Sequence, residues 1–85
     1  MSESRDTRLR RLKIRSWRRG TKEMDLILGN FFDDEGATLS SDDLDAYEAL
    51  LNENDQDLYA WVTGQGAVPE IYSDLVLRIG TAISE

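Results

Sequence analysis

Apolar residues recur at intervals of three and four along this 85-residue chain, and this spacing is the strongest constraint on how it can fold. In the clearest stretch the apolar positions step by three, one, three and one, which places their side chains on one face of a helix. These residues are Met24, Ile27, Leu28, Phe31 and Phe32. The alternation typical of a half-buried strand does not occur. The spacing therefore predicts an all-α protein.

Residues that cap helices lie at the expected boundaries between the apolar stretches. Ser, Thr, Asn and Asp before a helix can accept a hydrogen bond from a backbone N–H of its first turn. Gly36 is expected to end the second helix, and Pro69 suits the first turn of the fifth, where its missing N–H costs nothing. The candidate caps of the second, third and fourth helices are Thr21, Ser40 or Ser41, and Asn54 or Asp55.

The same spacing predicts which side chains of the remaining helices face the core. The first helix, at about residues 7–17, has the narrowest apolar stripe. The predicted inner residues are Leu9, Leu12, Ser16 and Trp17 in the first helix, Leu44, Tyr47, Leu50 and Leu51 in the third, Leu58, Trp61 and Val62 in the fourth, and Ile71, Leu75, Val76, Ile79, Ala82 and Ile83 in the fifth.

A chain of this length has room for one domain with a thin core, since a domain so small buries only about 60–65% of its unfolded surface. A role in surface binding is therefore favoured over a deep active-site cleft. We expect residues 7–85 to form a single five-helix bundle and residues 1–6 to form a flexible N-terminal arm.

The composition excludes several kinds of site. The chain has no cysteine and no histidine, which excludes disulfides and sites built on thiol or imidazole groups. A calcium loop with Gly36 at its sixth position would have Phe31 at its first, where an acid is required. The neighbouring Asp42 and Asp43 are explained by their position at the start of a helix, where acids complement the dipole. We therefore expect no metal site, no catalytic residue and no enzyme activity.

Charge is divided unequally along the chain. Residues 1–22 contain nine of the ten Lys and Arg residues and two of the 17 Asp and Glu residues. The basic segment is compatible with binding to nucleic acid, with docking to an acidic protein surface, or with a solvated helix that balances the acidic body. Its apolar face is thin for a helix that lies on a membrane.

No stretch approaches the roughly 18 apolar residues of a membrane span, and the first 20 residues contain no apolar run typical of a secretion signal. A chain without cysteine also suits a reducing compartment. We therefore expect a protein of the bacterial cytoplasm without membrane insertion.

The junction between the first two helices is the most specific feature of the basic segment. Gly20 permits a turn with positive φ, or the close approach of another backbone. An Arg before it and Glu23 after it would project near each other at this bend. They could pair with each other, or they could offer a forked donor and an acceptor to a partner.

Five residues at this junction resemble the RGxxE motif of the FAD assembly factor SdhE family, known in eukaryotes as succinate dehydrogenase assembly factor 2. A second Arg before the motif, an M-D pair after it, a helix that ends in F-F and two later segments also match the family pattern. The matching residues are Arg19-Gly20-Thr21-Lys22-Glu23 with Arg18, Met24-Asp25, Phe31-Phe32, Leu39-Ser40-Ser41-Asp42-Asp43 and Asp55-Gln56-Asp57-Leu58-Tyr59-Ala60-Trp61.

The resemblance implies an assembly factor that binds the flavoprotein subunit of succinate dehydrogenase, and also the related fumarate reductase subunit, and promotes covalent FAD attachment there. We expect a protein that is monomeric when free and holds no FAD stably itself. The partner-binding residues it implies are Arg18, Arg19, Gly20, Glu23 and Asp25. A nucleic-acid-binding or regulatory module that uses the basic helix is the alternative function.

Overall fold

The computed structural model describes residues 3–83, and within this range the regular structure consists of five α-helices and two short 3₁₀ turns, with no strand. The predicted all-α class and the predicted number of helices are confirmed. The helices are α1 (Arg5–Trp17), α2 (Lys22–Glu35), α3 (Ser41–Leu50), α4 (Asp55–Val62) and α5 (Ser73–Ile83), and the 3₁₀ turns span Gly36–Thr38 and Glu70–Tyr72.

Side-chain caps define where the first four helices begin. Thr21 accepts a hydrogen bond from the backbone N–H of Met24, as predicted. Of the two candidates for each later helix, Ser40 caps α3 and Asn54 caps α4. Each cap of this kind stabilises a helix by about 0.5–2 kcal/mol.

Helix α1 begins at Arg5, two residues earlier than predicted, because Ser4 caps it by accepting a hydrogen bond from the backbone N–H of Thr7. The last two residues of the predicted arm, Arg5 and Asp6, are therefore helical. Residues 1 and 2 of that arm lie outside the described residues.

The core is built around α2, whose apolar face is buried as the spacing predicted. The ring of Phe32 stacks on Tyr47 of α3 with 5.1 Å between centroids. The Tyr47 hydroxyl and the buried Ser16 hydroxyl of α1 lie 2.6 Å apart in a hydrogen bond. Burial raises the pKa of Tyr47, so its phenol stays neutral and suits this position. The core thus joins α1, α2 and α3 through one aromatic residue.

The predicted inner face of α5 is partly wrong. Ile71 is 71% exposed and Ile83 is 44% exposed, and Ala82 is exposed as well, whereas Tyr72 is buried. Glu70–Tyr72 forms a 3₁₀ turn with three residues per turn, so the register of the α-helix does not extend back to residue 71. The remaining predicted residues, Leu75, Val76 and Ile79, are buried.

Gly29 in the middle of α2 makes room for an aromatic ring. A Cβ atom at this position would lie 2.3 Å from the indole of Trp17, so only glycine lets that ring lie against the helix. The indole Nε1 also donates a hydrogen bond to Asp33, 3.2 Å away. α2 remains continuous through Gly29. Trp17 therefore fixes the end of α1 against α2, immediately before the bend that contains the RGxxE-like residues.

Candidate partner-binding site

A row of arginines on α1 binds acceptors on and just after α3. Each arginine and its acceptor are 37 residues apart, so α1 and the α3 segment lie side by side and run in the same direction. Hydrogen bonds from Arg11 and Arg8 lower the pKa of Glu48. The three contacts are Arg8 to Asp45 at 2.7 Å, Arg11 to Glu48 at 2.8 Å and Arg15 to Asn52 at 2.9 Å.

The contacts of this row show that much of the positive charge of the basic segment is paired within the fold. Arg5 also donates to two backbone carbonyls, those of Ala37 and Leu39. Within residues 3–83, the cationic side chains without a hydrogen bond or ion pair are those of Arg10, Arg18 and Lys22. The contacts favour the charge-balancing interpretation of α1. Nucleic-acid binding loses support, since most of the arginines that it would use are paired within the fold.

Arg19 extends the row past the end of α1. Its Nε donates to a carboxylate oxygen of Asp55 at 3.0 Å, Nη1 to the carbonyl of Leu51 at 2.7 Å, and Nη2 to the carbonyl of Glu53 at 3.0 Å. The Arg19 and Asp55 side chains are only 10% and 18% exposed. The guanidinium therefore ties the bend to the α3–α4 loop and to the first residue of α4.

Asp25 fixes the same bend from the other side. Its carboxylate accepts a hydrogen bond from the backbone N–H of Arg19, and its side chain is half-buried. Of the predicted site residues, Arg19 and Asp25 thus shape the bend through contacts within the chain.

The other three predicted site residues, Arg18, Gly20 and Glu23, are exposed at the bend. Gly20 has φ +112°, in the region that favours glycine, and the space around it is open, since a Cβ there would come no closer than 3.8 Å to Asp55. The side chains of Arg18 and Glu23 make no hydrogen bond or ion pair with any other residue in 3–83. The arginine that precedes Gly20 pairs with Asp55 and not with Glu23. The bend therefore presents a glycine turn with two cationic side chains, Arg18 and Lys22, and one anionic side chain, Glu23, that have no partner within residues 3–83.

A groove of about 470 Å³ lies beside this bend, between the start of α2 and one face of α4. Tyr59 on α4 lines it and is 42% exposed, and the buried Met24 lies at its base. Sequence reasoning did not assign Tyr59 to the site, although it lies in the α4 segment that matched the family pattern. The sequence did indicate that Tyr59 is exposed, because its spacing from Leu58 and Val62 places it off the buried face of α4.

Residues 3–83 contain no cluster of three or more acidic side chains arranged to hold a metal ion. None of the helices described there is both long enough and apolar enough to cross a membrane.

Comparison with known proteins adds to this geometry. A family model described as flavinator of succinate dehydrogenase matches residues 10–82, which include the bend and the groove. Succinate dehydrogenase assembly factor 2 of Candida glabrata is 43% identical over 63 residues, covering 74% of this chain and 41% of the relative. The FAD assembly factor SdhE of Acetobacter pasteurianus is 35% identical over 71 residues, covering 84% of this chain and 65% of the relative.

The SdhE of Legionella pneumophila is 45% identical over 47 residues, covering 55% of this chain and 60% of the relative. The chain spans 41%, 29% and 49% of the length of three fungal relatives it matches, so these relatives are much longer proteins.

Proposed function

Because the chain belongs to the family described as flavinators of succinate dehydrogenase, we propose that it is an assembly factor for the flavoprotein subunit of that enzyme. In this role it binds the subunit and promotes the covalent attachment of FAD to it. The match over residues 10–82 is the observation that carries the proposal, since it covers the whole bend and the elements that hold it in place. The names of the similar bacterial and fungal proteins support the same partner.

In this proposal, some residues of the bend fix its conformation and others contact the partner. Arg19 and Asp25 hold the bend in one conformation through their contacts within the fold. Arg18, Gly20 and Glu23 form the surface that meets the partner. A surface that is already ordered loses little conformational entropy on binding, which favours affinity.

The bond to FAD forms on the partner in this proposal, so the chain acts by positioning rather than as an enzyme. Holding the flavoprotein subunit in the reactive geometry would bring its own reacting groups close together. FAD is the substrate of that reaction, and the proposal gives this chain no stably bound cofactor. The related fumarate reductase subunit is a second proposed partner.

The proposal also includes a monomeric state when free and action in the bacterial cytoplasm. The lack of cysteine is compatible with such a reducing compartment.

The proposal is tested by co-expressing the chain with the flavoprotein subunit and measuring covalent flavin by fluorescence after denaturing electrophoresis. Gly20→Arg should strongly reduce the flavin signal. Gly64→Arg is the matched control, because Gly64 also has a positive φ, +78°, with nothing within 4 Å of a Cβ, but lies after α4. The control should retain the signal of the wild type. If both variants retained the flavin signal of the wild type, the bend would have no part in flavinylation.

A further inference from the structure

The groove beside the bend combines an apolar base with an exposed aromatic wall. Met24 at its base is 1% exposed, whereas Tyr59 in its wall is 42% exposed. Its volume of about 470 Å³ falls in the range of roughly 300–1,000 Å³ that is typical of ligand pockets, although this groove is open to solvent. It is therefore large enough to receive side chains from the surface of another protein.

The charge of the groove is negative and partly unpaired. Glu23 and Asp55 are the charged residues that line it, and no Lys or Arg does so. Residues 23–77 contain no Lys or Arg at all. Arg19 engages Asp55, but the side-chain carboxylate of Glu23 has no hydrogen bond or ion pair within residues 3–83. The groove is thus lined by one carboxylate whose side chain has no partner within residues 3–83 and by one exposed aromatic ring.

We propose that this groove holds an arginine side chain of the partner. A guanidinium group can bind a carboxylate through two parallel hydrogen bonds and can also stack on an aromatic face, which matches Glu23 and Tyr59. The amide oxygens of Gln56 and Gln65, which also line the groove, can accept its remaining N–H groups. A lysine ammonium is a point charge that has no plane to stack on Tyr59. This inference rests on the proposed function, since it names what the flavoprotein subunit places at the site.

The first experiment measures the affinity of the chain for the purified flavoprotein subunit by titration calorimetry. Glu23→Gln and Tyr59→Ala should each weaken binding, the former by about 10–100-fold, because one partner of an interfacial charge pair is lost. Asp74→Asn is the matched control, since Asp74 also lies in the first turn of a helix and is exposed, but is far along the chain on α5. It should bind as tightly as the wild type. Thermal melts of all variants show whether each is folded.

The second experiment identifies the occupant by exchanging charges. Glu23→Arg should abolish binding, and changing one surface arginine of the flavoprotein subunit to Glu should restore it. Rescue only by a changed lysine, or by no cationic residue, would overturn the inference. So would wild-type affinity for Glu23→Gln, or a loss confined to Tyr59→Ala, which would indicate an apolar occupant.

The outcome for the wild type separates the two proposals. If the wild-type chain does not bind the flavoprotein subunit, the proposed function and the arginine inference both fail. If the wild type binds and Glu23→Gln binds equally well, only the arginine inference fails.

Discussion

Replacing Arg19 tests whether this residue works from inside the fold. Arg19→Ala removes three hydrogen bonds that join the bend to the α3–α4 loop and to the start of α4. It also leaves the carboxylate of Asp55 without its cation at a position where that side chain is only 18% exposed. The variant should therefore lose stability even though the substituted residue belongs to a motif that resembles a binding motif.

The size of the loss follows from burial. Removing one partner of a buried ion pair costs about 3–5 kcal/mol and removing one partner of an exposed pair roughly 0–1 kcal/mol, and the part-buried Arg19–Asp55 pair lies between these limits. A chain of 85 residues has a total free energy of unfolding of about 4–13 kcal/mol. We therefore expect Arg19→Ala to lose about 2 kcal/mol and to melt roughly 8–16 °C lower. Arg19→Lys keeps the charge but not the fork, and should lose about half as much.

The assay is urea denaturation followed by circular dichroism, with Arg10→Ala as the control. Arg10 is an exposed arginine of α1 without a partner in residues 3–83, so its removal should change the free energy of unfolding by no more than about 0.5 kcal/mol. If Arg19→Ala unfolds at the same urea concentration as Arg10→Ala, the guanidinium does not hold the bend, and the structural role assigned to it is wrong.

Three further perturbations test the packing and the charge row. Gly29→Ala should lose about 1–3 kcal/mol in urea denaturation because its methyl group clashes with Trp17, and the added change Trp17→Ala should leave little further penalty from the methyl group. Arg11 lowers the pKa of Glu48 below its usual 4.5, so the stability that this pair adds is present above pH 4.5 and is lost as the pH falls through the folded-state pKa. Glu48→Gln should therefore reduce the loss of stability below pH 4.5, measured by thermal melts at a series of pH values. Trp61→Ala should cost less than the roughly 3–5 kcal/mol of a fully buried tryptophan, since Trp61 is only partly buried, and a larger loss in urea would contradict that burial.

The elements of the fold could largely be predicted from the sequence because they depend on local rules. The apolar face of α2 and the cap at Thr21 follow from spacing and side-chain chemistry within a few residues. The prediction was wrong at Ile71, where a 3₁₀ turn replaced the first turn of the expected helix. A 3₁₀ turn has three residues per turn and an α-helix 3.6, and over a segment of only three residues the two give almost the same pattern of apolar residues. The 3₁₀ turn nevertheless places Tyr72 in the core and leaves Ile71 exposed.

The arrangement of the site could be predicted only in part. The exposed turn at Gly20 follows from the junction of two helices around a glycine. The direction of the Arg19 side chain could not be predicted from the junction. Its acceptors lie 32 to 36 residues later in the chain and come within reach only when α1 packs alongside α3. The groove also depends on tertiary packing, since Glu23 of α2 and Tyr59 of α4 line it from different helices.

The most direct test of the account is amide hydrogen exchange of the chain, measured alone and in the presence of the purified flavoprotein subunit. In the presence of the subunit we expect slower exchange at residues 18–24 and 55–60, where the bend and the groove lie. We expect unchanged exchange over the exposed face of α5. Protection confined to α5, or to the arginine face of α1, would contradict the claim that the bend is the surface that meets the partner.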